Sequence, residues 1–524
     1  MNILEGKTIA GDLTIDAEVV VVGSGAGGAV VAKELAEAGI DVVVLEEGPY
    51  VPDEVYQRYR PTETLRYIGR EAGTTAVLGL GDTPIITVMA GRAIGGSSIL
   101  TGGVCFRIPE IVHQRWVHER GLELLTARNM EPAFESAERE TRVETVPESM
   151  RSLATQRFAD GATKLGIPVK PFRRNTDGCV GHGRCNFGCP AGAKYSVDRS
   201  YLPKAIAAGA RVYSDCLVER VLTSGSRAVG VAGRLLGERD AHGQSKRGRF
   251  LVSAKTVVIA AGTIHSPLLL LRSGLQSPAL GRHLTLHPGF RIAARFAEPV
   301  YGWKGALQSA YSDHFEAEGI TLTGLFVPPN VLAAGLPGIG PTFAERVSQV
   351  PHLGIFGGIV HDEDGGRVRR GIGREPLITY RLAPKDKAAM IRGIQILAEI
   401  FLAAGAVEMY PPVFGMEPLR DPGEVKQRIT GQISARRMEC VTFHPLGTCR
   451  IANDPDEGVV DSWGKCFELE ELYVADGSVF PSSIGVNSQL PIMAMATRIA
   501  WGLRDRLRDR VRGSRAAAPL EAAR

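Results

Sequence analysis

The chain contains no run of roughly 18 or more apolar residues, the length a membrane-spanning helix requires. Its N-terminal stretch, MNILEGKTIAGDLTIDAEVV, lacks the basic start and apolar core of an export signal. These two absences predict a cytoplasmic protein with no transmembrane segment, unless it leaves the cell on a signal-bearing partner. Charge of one sign is also scarce: 61 Lys and Arg face 57 Asp and Glu, leaving a net +4. No basic run carries interleaved aromatics, which excludes nucleic acid as a partner. Aromatics make up 6% of the chain and cysteines number eight. What remains is ordinary for a globular protein, with 44% hydrophobic and 23% charged residues over 524 positions, too long for one hydrophobic core and so expected to form two domains. The 62 glycines point to tight turns and close backbone approaches to something bound.

The stretch Val19 to Glu46 organises the rest. Val19 to Val22 form an unbroken β-branched run, too short for a helix and too apolar for a surface strand, and so predict a buried parallel strand. Gly23, Gly25 and Gly28 follow as G-x-G-x-x-G: the first permits the tight turn, the second lets a pyrophosphate approach the backbone, and the third lets a helix pack on the strand. Ala29 to Ala38 predict that helix, Gly39 stops it, and Asp41 to Leu45 return to a strand that ends in Glu46. Glu46 stands near the roughly 20-residue offset of a ribose-binding acid, which favours a free 2′-hydroxyl and hence FAD or NAD over NADP. A Gly-rich turn alone would be a weak signal; strand, glycines, helix, strand and acid in order make a dinucleotide site, with phosphates on the helix N-terminus.

Pro49 to Pro61 predicts a surface excursion, and Ala90 to Arg107 (AGRAIGGSSILTGGVCFR) packs glycine pairs around two serines, as backbone lying against a ligand does. Pro109 to Leu165 is helical scaffold. Asn175 to Ser196 then holds Cys179, Cys185 and Cys189 as C-x5-C-x3-C-P, with glycines that let three sulfurs face one centre; His182 would complete a zinc site instead. Ala210 to Leu222 and Ala228 to Ala232 predict strands. Thr256 to Ala260 with Ala261-Gly262 predicts another strand and turn, after which Ser266-Pro267 opens an apolar helix. Residues 288–436 change to aromatic and β-branched strands with charged turns and form the candidate substrate domain. Within them Gly324 to Pro341 is apolar and rich in Pro and Gly, as a lid over an apolar mouth, a surface contact or a buried loop would be. Glu471 to Asp476 is a further short strand, Pro491 opens a long amphipathic helix, and the tail 513–524 is expected to be disordered.

Four separated stretches share one pattern: the N-terminal fingerprint, Gly91 to Ser98 (GRAIGGSS), Ala260 to Gly274 (AAGTIHSPLLLLRSG), and His444 to Arg450 (HPLGTCR) with Gly485 to Pro491 (GVNSQLP). In these the chain resembles the glucose–methanol–choline oxidoreductases from about residue 18 to residue 508. The resemblance implies an α/β fold, a Rossmann-like FAD-binding domain (1–115, 197–287 and 437–512) with a discontinuous antiparallel-sheet substrate domain (116–196 and 288–436, carrying the Cys-rich segment 175–196). It implies FAD and oxidation of an alcohol carbon by hydride transfer to the flavin. Cofactor contacts would come from Gly23, Gly25, Ala26, Gly28 and Glu46, from Arg92, from Gly95, Gly96, Ser97 and Ser98 along the isoalloxazine, from Ala261, from Asp476 and Gly477 near the pyrophosphate, and from Asn487. The catalytic pair falls on His444 and Asn487, the first to take the hydroxyl proton and the second to hold its oxygen; one sheet around the Glu471 to Asp476 strand would bring both to the ring. Leu100 stands where relatives with a covalent flavin carry histidine, and Thr101 where many carry asparagine, which implies noncovalent FAD. The Cys-rich segment is similar to one branch whose flavin subunit holds a three-iron (3Fe-4S) cluster, and also to long-chain alcohol oxidases, so a cluster on Cys179, Cys185 and Cys189 and a metal-free Cys-rich loop both stand. With a cluster, electrons would pass to an external acceptor, a protein or quinone; an oxygen-using alcohol oxidase and a sugar dehydrogenase subunit are the alternatives.

Overall fold

The computed structural model describes residues 1–237, 248–363 and 365–516. Val19, Val20 and Val21 are fully buried inside the strand Leu13–Val22, each side chain contributing about 1.5–3 kcal/mol by leaving water. Among the described residues this strand belongs to an eight-stranded sheet in the order Leu4–Glu5, Arg211–Ser214, Val42–Leu45, Leu13–Val22, Arg249–Ile259, Arg227–Leu235, Cys216–Ser224, with Leu472–Val474 also paired to Arg249–Ile259. The pairings from Leu4–Glu5 to Arg249–Ile259, and the one to Leu472–Val474, are parallel, and the last two strands form an antiparallel flap. Helices Gly28–Ala36 and Gln489–Ala516 pack over this sheet, their apolar faces in one core with its valines. The register sets the site: Val22 lies beside Leu45 and Ile259, and Ile259 beside Val474. The residues that follow these four therefore emerge in one row at the carboxyl edge, where open α/β sheets bind ligands.

The second sheet has eleven strands among the described residues, in the order Gly366–Arg370, Pro376–Tyr380, Thr75–Gly79, Ile86–Val88, Cys440–Thr442, Gly289–Arg295, Leu353–Val360, Ile320–Gly324, Ala310–Ser312, Lys170–Pro171, with Glu408–Tyr410 paired to Gly289–Arg295. Two of its pairings are parallel and the others antiparallel. It is the discontinuous substrate sheet, and it also recruits Thr75–Gly79, Ile86–Val88 and Cys440–Thr442 from ranges the sequence reading gave to the first domain. The 20-residue helix Pro384–Ala403 buries Met390, Ile394, Leu397 and Phe401 in this sheet's core, where Phe158 stacks on Phe356 with centroids 3.5 Å apart.

Local differences from the sequence reading have physical causes. Pro49 to Pro61 is not wholly a surface excursion, because it contains the helix Asp53–Arg58 with Tyr56 buried. The apolar helix begins at Gly262, and Pro267 sits inside it. Pro267 has no N–H for the Thr263 carbonyl four residues earlier, and the Thr448 hydroxyl donates to that carbonyl instead. Phe326, Leu332 and Leu336 of the apolar Gly324 to Pro341 stretch pack with Val350, Leu353, Ile355 and Tyr410 in a satellite core. The last helix starts at Gln489 and continues to Ala516, and the part of the expected tail from 517 onward lies outside the described residues.

Candidate active site

The cleft at the carboxyl edge of the first sheet encloses about 250 Å³ and is lined by Gly23, Gly25, Ala26, Glu46, Gly96, Ser97, Ser98, Ala261, Asp476 and Gly477, ten of the anticipated cofactor positions. The helix Gly28–Ala36 opens on it with no side-chain cap, and the Ala29 N–H already closes onto the Gly25 carbonyl at 3.0 Å. The fingerprint glycines have different work. A Cβ on Gly28 would stand 1.9 Å from the Gly23 carbonyl oxygen, and one on Gly23 2.3 Å from the Ala260 oxygen, so both are fixed by protein packing. A Cβ on Gly25 would meet only the Gly96 α-carbon, at 3.8 Å, which leaves that backbone open toward the cleft. Gly28 accordingly does not line the cleft, and neither do Gly95 and Arg92. Gly95 makes the turn with φ of +95°, while Arg92 donates its backbone N–H to Ile68 at 2.7 Å.

Glu46 accepts the Ser24 N–H at 3.0 Å and hydroxyl at 2.7 Å on one oxygen and the Gly48 N–H at 2.9 Å on the other. Burial pushes its carboxyl above the usual range against those three donors. Ser24 was not anticipated: its hydroxyl also accepts the Gly95 N–H at 3.0 Å, and so ties the fingerprint to the Gly95–Ser98 loop. Its signal in sequence was its place between two fingerprint glycines. Gly27 was missed too, although its Cβ would lie 1.8 Å from the Ala475 oxygen. Asp476 accepts the Gly262 and Ser478 N–H groups at 2.9 and 2.8 Å and the Ser266 hydroxyl, which holds the last strand to the helix Gly262–Arg272.

His444 and Asn487 meet at the edge of this cleft, whose lining includes their neighbours Phe443, Pro445 and Ser488. They come from the two sheets rather than one: His444 follows the second sheet's strand Cys440–Thr442, and Asn487 precedes the first domain's helix Gln489–Ala516. Asn487 Nδ2 donates to His444 Nε2 at 3.1 Å. The separation lets one added oxygen stand within hydrogen-bond distance of both nitrogens. Asn487 Oδ1 and His444 Nδ1 are buried without a hydrogen-bond partner, as groups awaiting a ligand are. Burial lowers the His444 pKa to about 4, which keeps the imidazole neutral and able to accept a proton.

Cys179, Cys185 and Cys189 line one small cavity. Among the described residues no group of three or more His, Cys, Asp or Glu could hold a metal ion, so of the cluster and the metal-free loop the structure gives no support to the first. The Cys185 sulfur accepts from the buried Arg174 guanidinium at 2.9 Å. Arg174 also donates to the Gly102 carbonyl at 3.0 and 2.7 Å, and buried Lys194 donates to the carbonyls of Ile99, Thr101 and Cys185 at 2.6, 3.0 and 2.8 Å. The segment thus braces the glycine–serine loop through two buried cations. All eight cysteines are free thiols.

Two family models described as GMC oxidoreductase match this chain, the N-terminal one over residues 17–289 and the C-terminal one over 374–496. The chain belongs to the GMC oxidoreductase family. A GMC-type oxidoreductase of Mycobacterium tuberculosis is 38% identical over 487 residues, covering 92% of this chain and 75% of that protein. A long-chain-alcohol oxidase of Arabidopsis thaliana is 27% identical, covering 95% and 68%. The solved structure of pyridoxine 4-oxidase from Mesorbium loti superposes with a TM-score of 0.72 at 19% identity over 93% of this chain and 99% of that one, which shows the same fold. No helix among the described residues of this GMC oxidoreductase is long and apolar enough to cross a membrane.

Proposed function

We propose that this GMC oxidoreductase binds FAD without a covalent link and oxidises the CH–OH group of an alcohol to a carbonyl. The observation that carries the reading is the pairing of His444 Nε2 with Asn487 Nδ2 at 3.1 Å beside a dinucleotide cleft. The chain's groups fit FAD: an uncapped helix N-terminus and the open Gly25 backbone would hold the pyrophosphate, Glu46 would hold the adenosine ribose, and Gly96 to Ser98, which line the cleft, would hold the ring. When bound, FAD supplies the hydride acceptor. Asn487 holds the alcohol oxygen in place, and His444 Nε2 takes the hydroxyl proton as the carbon gives up its hydride, so alcohol minus two electrons and two protons yields the carbonyl. His287 is not placed as that base, because its Nε2 accepts two backbone N–H groups, whereas the one partner of His444 Nε2 is the Asn487 amide that would itself hold the alcohol oxygen.

The substrate carries a sizeable apolar portion. Phe443, Pro445, Ile264 and Ile492 present apolar surface on the cleft, and the Arabidopsis relative is a long-chain-alcohol oxidase. For the electrons, an external acceptor, a protein or quinone, and oxygen both stand, and the panel below separates them. The test is a panel of 1-dodecanol, benzyl alcohol, cholesterol and glucose, each added anaerobically and then with either oxygen or a dye. Bleaching of the flavin band by the apolar alcohols supports the reading. Bleaching by none of the four refutes it, and by glucose alone restores the sugar dehydrogenase.

A further inference from the structure

His287 takes no part in the proton path above, yet it is fully buried and its ring centroid stands 5.4 Å from that of His444. Its Nε2 accepts the backbone N–H groups of Ile484 at 3.2 Å and Gly485 at 3.1 Å. A ring nitrogen that accepts carries no proton, so His287 is the neutral tautomer with its proton on Nδ1. Its backbone lies in the left-handed region, φ +47°, which a non-glycine residue keeps only where its surroundings over-determine it. Here they do. Asp362 accepts the N–H of Leu286 at 2.7 Å and of His287 at 3.0 Å, and with the same carboxylate accepts the Tyr380 hydroxyl at 2.7 Å and the Ser483 hydroxyl at 3.2 Å. Burial pushes the Asp362 carboxyl up to about 7, but donors stand at both oxygens, and the ionised form is the one this geometry holds. His361 closes the third side, its ring so near Gly485 that a Cβ there would lie 2.2 Å away.

Three side chains beside the ends of the second sheet's strands Gly289–Arg295 and Leu353–Val360, His287, His361 and Asp362, thus grip residues 483–485 immediately before Asn487. We propose that His287 is a positioning residue for alcohol oxidation, its Nε2 fixing the Ile484 and Gly485 peptides so that the Asn487 amide faces His444 Nε2. The proposal rests on the roles given to His444 and Asn487 above. His287 is not a second base, because its Nε2 is taken by the Ile484 and Gly485 N–H groups. It couples the second sheet, whose strand Gly289–Arg295 it precedes, to an amide before the helix Gln489–Ala516, and so lets the two halves of the site assemble in one geometry.

The test is a double-mutant cycle read as the anaerobic flavin-reduction rate at saturating levels of the fastest alcohol of the panel, per bound flavin. His287→Leu leaves two buried N–H groups without an acceptor and is expected to slow reduction about 10- to 100-fold, whereas His287→Gln, with a carbonyl oxygen at similar reach, stays within about 3-fold. In an Asn487→Ala background His287→Leu is expected to add no further slowing. A wild-type rate in His287→Leu, or its full slowing repeated in the Asn487→Ala background, overturns the proposal. A wild-type rate in Asn487→Ala alone overturns the reading beneath it. Should His287→Leu fail to fold, long-range 1H–15N spectra of 15N-histidine protein decide. One imidazole fixed as the Nδ1–H tautomer from about pH 5 to 9 and lost in His287→Gln supports the role, while a proton on Nε2 or titration in that range overturns it.

Discussion

The fingerprint glycines permit a separation of fold from cofactor binding that two substitutions read out. In Gly28→Ala the new methyl would start 1.9 Å from the Gly23 carbonyl oxygen and 3.2 Å from the Ala260 Cβ, with backbone on one side and the sheet on the other. The helix must withdraw by more than 1 Å to reach ordinary contact distance, an overpacking that costs about 1–3 kcal/mol or more. In Gly25→Ala the methyl finds only the Gly96 α-carbon at 3.8 Å, and φ there is not in the left-handed region, so the folded chain without ligand is expected to change by about 0.5 kcal/mol or less. That methyl nevertheless occupies the approach of the pyrophosphate. Thermal unfolding of FAD-stripped protein and FAD titration measure the two effects separately. Gly28→Ala is expected to lower Tm by several degrees and to lose FAD as a consequence, and Gly25→Ala to keep Tm while FAD affinity falls at least about tenfold, some 1.4 kcal/mol. Wild-type FAD affinity in Gly25→Ala would refute the placement of the dinucleotide in this cleft.

Acid precipitation is expected to release all the yellow colour into the supernatant, because Leu100 cannot form a histidyl link; flavin kept on the pellet would contradict this. Iron and acid-labile sulfide are expected to be absent from purified protein, since the described residues form no metal-binding group, and stoichiometric iron with sulfide would establish the cluster on Cys179, Cys185 and Cys189. Flavin reduction is expected to stay level from about pH 9 to 5.5 and to fall toward a midpoint near the His444 pKa of about 4; a midpoint between 6 and 7 would show an imidazole that is not desolvated. The same shift has a stability consequence of known sign. The unfolded chain takes the proton at about 6.5 and the folded one only at about 4, so the stability His444 contributes above pH 6.5 is lost as pH falls between those values.

The first domain was legible because its signals are local: an all-valine strand, glycines at fixed spacing and Glu46 at the next strand's end each follow from chain geometry within one βαβ unit. His444 and Asn487 were legible only through the wording of their motifs, and the expectation of one shared sheet failed because strand exchange over hundreds of residues leaves no local trace. The recruitment of Thr75–Gly79 and Cys440–Thr442 into the second sheet is of that kind. Ser24 and His287 act through hydrogen bonds to distant backbone, which neither hydropathy nor spacing encodes. For the cysteine trio, proximity in sequence left a cluster and a metal-free loop both open, and the contacts of Arg174 and Lys194 around Cys185 come from the fold and have no trace in spacing.

The central claim is that His444 accepts the alcohol proton, and it is tested most directly by anaerobic stopped-flow reduction of the flavin in His444→Ala. General-base assistance is worth about 10²–10⁴-fold, or roughly 2.7–5.4 kcal/mol of barrier. Removing the imbedded imidazole leaves the Glu46, Asp476 and Gly25 contacts of the cleft in place, so FAD is expected to stay bound. The account predicts flavin-loaded His444→Ala protein that reduces about 10²–10⁴-fold more slowly than wild type with the same alcohol; flavin-loaded protein that reduces at the wild-type rate would contradict it.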